Sequence, residues 1–177
     1  QGAVAAGLLG AGNHFLGTMQ LSAQMLKDAV AGRAPDADGA AFDACAAALV
    51  RAYRAGKRIV PGIGHPLHKP VDPRTPRLFE IAAETGYAGP YIELIKLVAA
   101  EAERASGKSL PINATGAIGA ICCEMGFDWR ICRGLGVMAR AVGLPYLAIY
   151  LTERTRVSAE TLGWLLGGSI FFATVFG

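Results

Sequence analysis

A chain of 177 residues can bury a sizeable core, and 53% hydrophobic against 18% charged residues excludes a disordered, solvated polymer. The net charge of +3 has no Lys/Arg run behind it, which argues against nucleic acid and leaves small anions as the ligands to consider. Cys45, Cys122, Cys123 and Cys132 include no Cys-x-x-Cys pair and read as buried thiols of a cytoplasmic protein, with neither disulfide frame nor metal site.

The chain opens at Gln1 directly inside an apolar run, so it reads as a sequence entered part-way, with an upstream segment missing. Residues 2–12 place Gly2, Ala6 and Gly10 on one helical face and Ala3, Gly7 and Ala11 on the next. Such small-residue faces suit close helix contact, in a core or across a dimer. Asn13–Ala31 is predicted helical, closed by Gly32 and the loop Arg33-Ala34-Pro35-Asp36. Asp38 is a candidate cap for a helix running to Ala55 and stopped by Gly56. Residues 57–73 form a Pro/Gly loop, after which Arg74 or Thr75 starts a helix ending near Gly86.

Pro90 sits at a first-turn position and opens Tyr91–Ser106, where Glu93, Lys96, Glu101 and Arg104 form a polar stripe. Leu110-Pro111-Ile112-Asn113 is a second junction, leading into a small, apolar helix Ala114–Met125. Asp128 reads as the cap of Trp129–Leu144, and Glu124 as a surface charge. Pro145 restarts a helix to about Thr152, and Ser158-Ala159-Glu160-Thr161 caps a last one. The uncharged stretch Thr161–Gly177 falls short of the roughly 20 apolar residues of a membrane span and reads as a buried helix. No period-two strand and no repeat is found, so residues 1–177 are expected to form one all-α domain.

The loop Pro61-Gly62-Ile63-Gly64-His65 and its continuation to Arg74 carry most of the chemistry. An imidazole stands behind a stiff Gly/Pro turn and is followed by Lys69, Arg74 and Arg77. Two readings stay open from the residues alone. The loop is either a solvated connection between helices or a site for a small anion bearing a carbonyl or hydroxyl group.

Four motifs in order resemble the citrate synthase superfamily, and most of all its short members described as citryl-CoA lyases or citrate lyase-like proteins. They are Gly7-Leu8-Leu9-Gly10-Ala11-Gly12-Asn13, the His65 loop with Asp72-Pro73-Arg74, Asn113-Ala114-Thr115-Gly116, and Gly136-Val137-Met138-Ala139-Arg140-Ala141-Val142-Gly143. Together they cover residues 1 to about 156. The resemblance implies an all-α, citrate synthase-like multi-helix bundle, present here as an incomplete chain of the family fold. It implies that His65 contacts the carbonyl of oxaloacetate or the hydroxyl of a citryl group, and in cleavage takes the hydroxyl proton. Arg74 and Arg140 then clamp carboxylates, a task suited to a planar bidentate fork, with Arg154 a further carboxylate ligand, from a neighbouring subunit. Asn13 and Thr115 are further substrate contacts. Lys69 faces the phosphate of coenzyme A, with Gly62 and Gly64 lining that cofactor. The implied partner is a second copy in a homodimer, with no nucleic acid, membrane, metal or redox group.

Two positions depart from the family pattern. Leu9 stands where the family has its first histidine, and Thr115 where it has a carboxylate base. Leucine offers no donor to an enolate oxygen, and a threonine hydroxyl is a far weaker base than a carboxylate. His14 and His68 are further imidazoles able to approach the cleft, His14 reading as structural or at an interface, and a ligand contact being the minority reading for His68. The functional expectation is an acyl-CoA carbon–carbon lyase acting on citryl-CoA or a related 3-hydroxy-acyl-CoA. The alternative is a catalytically impaired member that binds polycarboxylate and coenzyme A.

Overall fold

The computed structural model describes residues 12–31, 39–139 and 141, with side chains from residue 17 onward in these ranges except 39 and 40. The helices are α1 Gly12–Val30, α2 Gly39–Ala55, α3 Arg74–Glu84, α4 Pro90–Ser106 and α5 Ala114–Glu124. A further helical run covers 129–139. Among the described residues the sole β pairing is an isolated antiparallel bridge between Ile63 and Ile112, so the fold is all-α as expected. None of the described helices is long and apolar enough to cross a membrane. Residues 18–132 form one compact unit, and residues 1–17 with 133–177 form another. The small-residue face at 2–11, Leu9, the Asp38 cap, Arg140, Arg154, the Pro145 helix and the 161–177 stretch lie outside the described residues. So do the side chains of Asn13 and His14.

In the 18–132 unit the core is organised around α4. Ile92, Leu94, Ile95, Val98, Ala99 and Ala102 are buried at helical spacing, and α4 packs against both α2 and α5. Its N-terminus begins with Pro90 as predicted, but its cap comes from a distant residue. Gly89 has no side chain to offer, and the Glu124 carboxylate accepts hydrogen bonds from Tyr91 N (2.8 Å) and Ile92 N (2.9 Å). A Cβ on residue 89 would lie 2.5 Å from that carboxylate. Glu124 is therefore not the surface charge that the sequence suggested. It is half-buried and closes the positive end of α4. Burial raises its carboxyl pKa, opposed by the backbone N–H bonds that favour the anion.

The Asp128 reading agrees with the structure, since its carboxylate accepts from Arg130 N at 2.8 Å at the start of the 129–139 run. Cys45, Cys122, Cys123 and Cys132 are free and buried. Burial pushes the Cys122 and Cys123 thiols up to about 12, which makes them poor nucleophiles and ordinary core residues.

Helix α5 is built from small residues because it is approached closely on two sides. Gly119 faces α1, where a Cβ would meet Met19 O at 2.9 Å and Ala23 N at 3.2 Å. Gly116 faces the Pro61–Arg74 loop, where a Cβ would meet Gly62 O at 2.4 Å. The loop responds in kind: Gly62 is buried, has φ +83, and a Cβ there would lie 2.5 Å from Gly116 Cα. Two backbones thus touch without intervening side chains, which only glycine permits. Gly64 N donates to Pro111 O (2.7 Å) and Asn113 N to Gly62 O (3.0 Å), completing the pairing on either side of the bridge.

Gly107, which ends α4 at φ +66 with open space beyond it, separates backbone strain from crowding. Gly107→Ala is expected to lose about 1–2 kcal/mol from the left-handed conformation alone. Gly62→Ala should lose a similar amount plus about 1–3 kcal/mol of overpacking. Urea unfolding of the two variants compares them directly, and equal losses would contradict the contact.

Candidate functional site

The site loop is held against the first turn of α5 by side chains as well as backbone. Asn113 caps α5, its Oδ1 accepting from Gly116 N at 3.0 Å, while its Nδ2 donates to Gly64 O at 2.8 Å. One side chain thereby fixes both the helix start and the residue before His65. Thr75, buried at the start of α3, donates from Oγ1 to Ile112 O at 2.8 Å. Thr115 donates from Oγ1 to Asn113 Oδ1 at 2.6 Å.

His65 is half-buried and held by its own loop. Its Nδ1 accepts from Leu67 N (3.1 Å) and His68 N (3.0 Å). That network assigns the neutral tautomer with the proton on Nε2, since two N–H groups cannot point at a protonated nitrogen. The imidazole pKa lies below its ordinary 6.5, lowered by burial and then by His68 and Arg74, with Asp72 opposing. The His68 ring stacks at a tilt, its centroid 4.3 Å from that of His65. As held, His65 presents a proton at Nε2 and stands as a donor at that atom.

Arg74 comes to the same place from the first residue of α3. Its Nη2 lies 3.5 Å from His65 Nε2. Both groups are donors, so they cannot bond to each other. Two N–H groups converging at this spacing suit one oxygen acceptor between them.

Beneath the arginine lies Asp72, a residue to which the sequence reading gave no role. It is fully buried and its carboxylate accepts from Arg74 Nε (2.9 Å), Arg74 Nη2 (2.7 Å), Arg74 N (3.1 Å) and Ala114 N (3.1 Å). Its backbone carbonyl accepts from Thr75 N at 3.0 Å. The Arg74 side-chain bond, followed by the backbone N–H bonds, holds its carboxyl far below the ordinary 3.8. The signal was present: an Asp just ahead of Pro-Arg at a helix start is a capping pattern.

The remaining predicted residues are less concentrated. Lys69 is exposed on the loop, and the flanking apolar Leu67 and Val71 are also exposed. Arg77 does not join the cations around His65, because its guanidinium is paired with Glu80 (3.1 Å) and Glu84 (3.2 Å) on the surface of α3. Gly62 lacks a side chain for a reason internal to the protein, its contact with Gly116, and Gly64 is half-buried beside Asn113. The structure therefore brings together His65, Arg74 and Thr115 from the expected set and adds Asn113 and Asp72.

This helical protein presents an imidazole N–H and an arginine fork from one loop braced on a glycine-bearing helix, two donors of a kind that oxygen acceptors match. The chain matches the family described as "Citrate synthase, C-terminal domain" over residues 2–154 and belongs to that family. It is similar to the structure of citryl-CoA lyase from Hydrogenobacter thermophilus, with 28% sequence identity and a TM-score of 0.67. That likeness covers 98% of this chain and 55% of the other, so the chain spans about half the length of the lyase. No curated protein matches it.

The neutral state of His65 has a measurable sign. In the folded protein its imidazole is expected to titrate below 6.5, with 15N shifts showing the proton on Nε2. The folded state then binds fewer protons than the unfolded chain, so this contribution to stability is present above pH 6.5 and lost as pH falls towards the folded pKa. Asp72 acts in the same direction lower down: its contribution is present above pH 3.8 and lost progressively below it. An NMR titration of His65 at or above 6.5 would contradict the assignment.

Proposed function

We propose that this chain serves an acyl-CoA carbon–carbon lyase reaction, cleaving citryl-CoA or a related 3-hydroxy-acyl-CoA to acetyl-CoA and an oxo acid. The observation that carries the reading is the pair of donors, His65 Nε2–H and Arg74 Nη2–H, 3.5 Å apart on a braced loop. Family membership and the likeness to a citryl-CoA lyase support the substrate class. In the reaction the bond between the hydroxyl-bearing carbon and the thioester's α-carbon breaks. Its electron pair passes to the acetyl-CoA enolate, the hydroxyl proton leaves to solvent water, and the enolate carbon takes a proton from solvent.

His65 holds the oxygen that is a hydroxyl in the substrate and a ketone in the product. A fixed N–H donor strengthens its bond to that oxygen wherever negative charge develops there. Arg74 takes a carboxylate next to it, joined in the family pattern by Arg140 and Arg154, the latter across a homodimer. Asn13 and Thr115 add polar substrate contacts. Lys69, with the backbone of Gly62 and Gly64, faces coenzyme A. The proposed setting is the cytoplasm.

A second reading, a polycarboxylate- and coenzyme A-binding protein without turnover, is favoured by one observation. Thr115 is a neutral hydroxyl whose proton is committed to Asn113 Oδ1 at 2.6 Å, so the carboxylate base of the family pattern has no equivalent at that position. Leu9 supplies no donor in place of the family's first histidine.

Citryl-CoA cleavage coupled to NADH oxidation through oxaloacetate, alongside calorimetric titration with citrate, separates the readings. The lyase reading expects turnover that drops about 100-fold or more in His65→Ala, the loss typical of removing one donor to a developing oxyanion. Citrate binding that is weakened but still measurable in Arg74→Ala, with no turnover in the parent chain, would establish the binding reading. An absence of both would overturn the two together.

A further inference from the structure

We propose that Asp72 is a positioning residue, whose buried carboxylate holds the Arg74 guanidinium so that its outer edge faces a ligand carboxylate beside His65. The inference rests on the reading above, that this site takes a polycarboxylate. It starts from a contrast in burial. Asp72 is 0% exposed, whereas the Arg74 side chain is 55% exposed. The pair is thus anchored from below and open above.

The bonding pattern fixes the orientation of the fork. Asp72 engages Nε and Nη2, one edge of the planar guanidinium, through two separate oxygens. Nη1 and the second N–H of Nη2 remain for a ligand, and Nη2 is the atom 3.5 Å from His65 Nε2. A free arginine carries about 2 kcal/mol of rotamer entropy, and a guanidinium already held on one edge has lost much of it before any ligand arrives. Asp72 itself is held by Ala114 N, so the arginine is referenced to the first turn of α5, the element that also carries Asn113 and Thr115.

Charge alone predicts the opposite outcome from positioning, which makes the proposal decidable. A carboxylate beside an arginine weakens its attraction for an anion, so on charge alone Asp72→Asn should tighten citrate binding. If Asp72 acts by orienting Arg74, the same change should weaken it.

The experiment is a calorimetric cycle with citrate on the parent chain, Asp72→Asn, Arg74→Ala and the double variant. The expected result is a loss of about tenfold in affinity for Asp72→Asn, as for other outer partners that orient a ligand-binding side chain. No further loss should follow when the change is made in the Arg74→Ala background. Unchanged or tighter binding by Asp72→Asn, or an equal loss in both backgrounds, overturns the proposal. A parent chain that binds no citrate overturns both the proposal and the reading beneath it, whereas binding with an indifferent Asp72→Asn removes the proposal alone. Because Asp72→Asn also touches the α5 cap, a measurement on the unaltered protein stands beside it. The Arg74 Nε–H resonance, assigned by its absence in Arg74→Lys, should exchange slowly with solvent. Fast exchange with a freely rotating guanidinium would overturn the proposal whatever the variant does.

Discussion

The contact on which the site depends is the meeting of two backbones, Gly62 on the loop and Gly116 in α5. A Cβ on either would come within 2.5 Å of the other chain segment. That approach brings Gly62 O to Asn113 N and Gly64 N to Pro111 O, so the two Pro-marked junctions of the sequence become one layer. His65 follows directly from this layer, and Asp72 returns to it through Ala114 N. Seven residues apart along the loop, both are fixed to the same helix start. Remove the close approach and each of these bonds loses its geometry together, because they share one reference.

The electrostatics of the site are those of directed donors more than of net charge. His65 is neutral, and Arg74 is matched by a buried carboxylate. What the loop presents outward is a set of N–H groups with fixed directions: imidazole Nε2 and the free edge of the guanidinium. Donors fixed in this way cost little reorganisation on meeting an acceptor. Lys69 and its exposed apolar neighbours Leu67 and Val71 extend the same loop outward, as a surface able to meet a molecule with both charged and apolar parts.

The family places this geometry in a chemical context, and the chain departs from that context at two positions. In the resemblance drawn from the sequence, Leu9 and Thr115 stand where the family pattern has a histidine and a carboxylate. Thr115 is nevertheless integrated, as a donor to the asparagine that caps α5 and ties down the loop. It contributes to holding the site in place at the position where the family pattern has a base.

Much of this was legible without coordinates. Helical spacing, Pro90 at a first turn and the Gly/Pro loop fixed α1 to α5 to within a few residues, because those signals are local. The motif set around His65, Arg74 and Asn113 was legible through its resemblance to a family pattern, and Asn113 ties that loop to the start of α5. Three features were decided by the folded geometry, one across distant helices and two within a single helix or turn. Glu124 looks like a surface charge because nothing nearby in sequence reveals that its oxygen reaches the start of α4, more than thirty residues earlier. Arg77 looks like a third cation of the site until the turn of α3 carries it to Glu80 and Glu84. The tautomer of His65 depends on where Leu67 N and His68 N point, a property of the folded turn. Sequence determines which groups are available and which segments are regular; only packing decides which groups face one another, and that decides which of them are donors, caps or ligands.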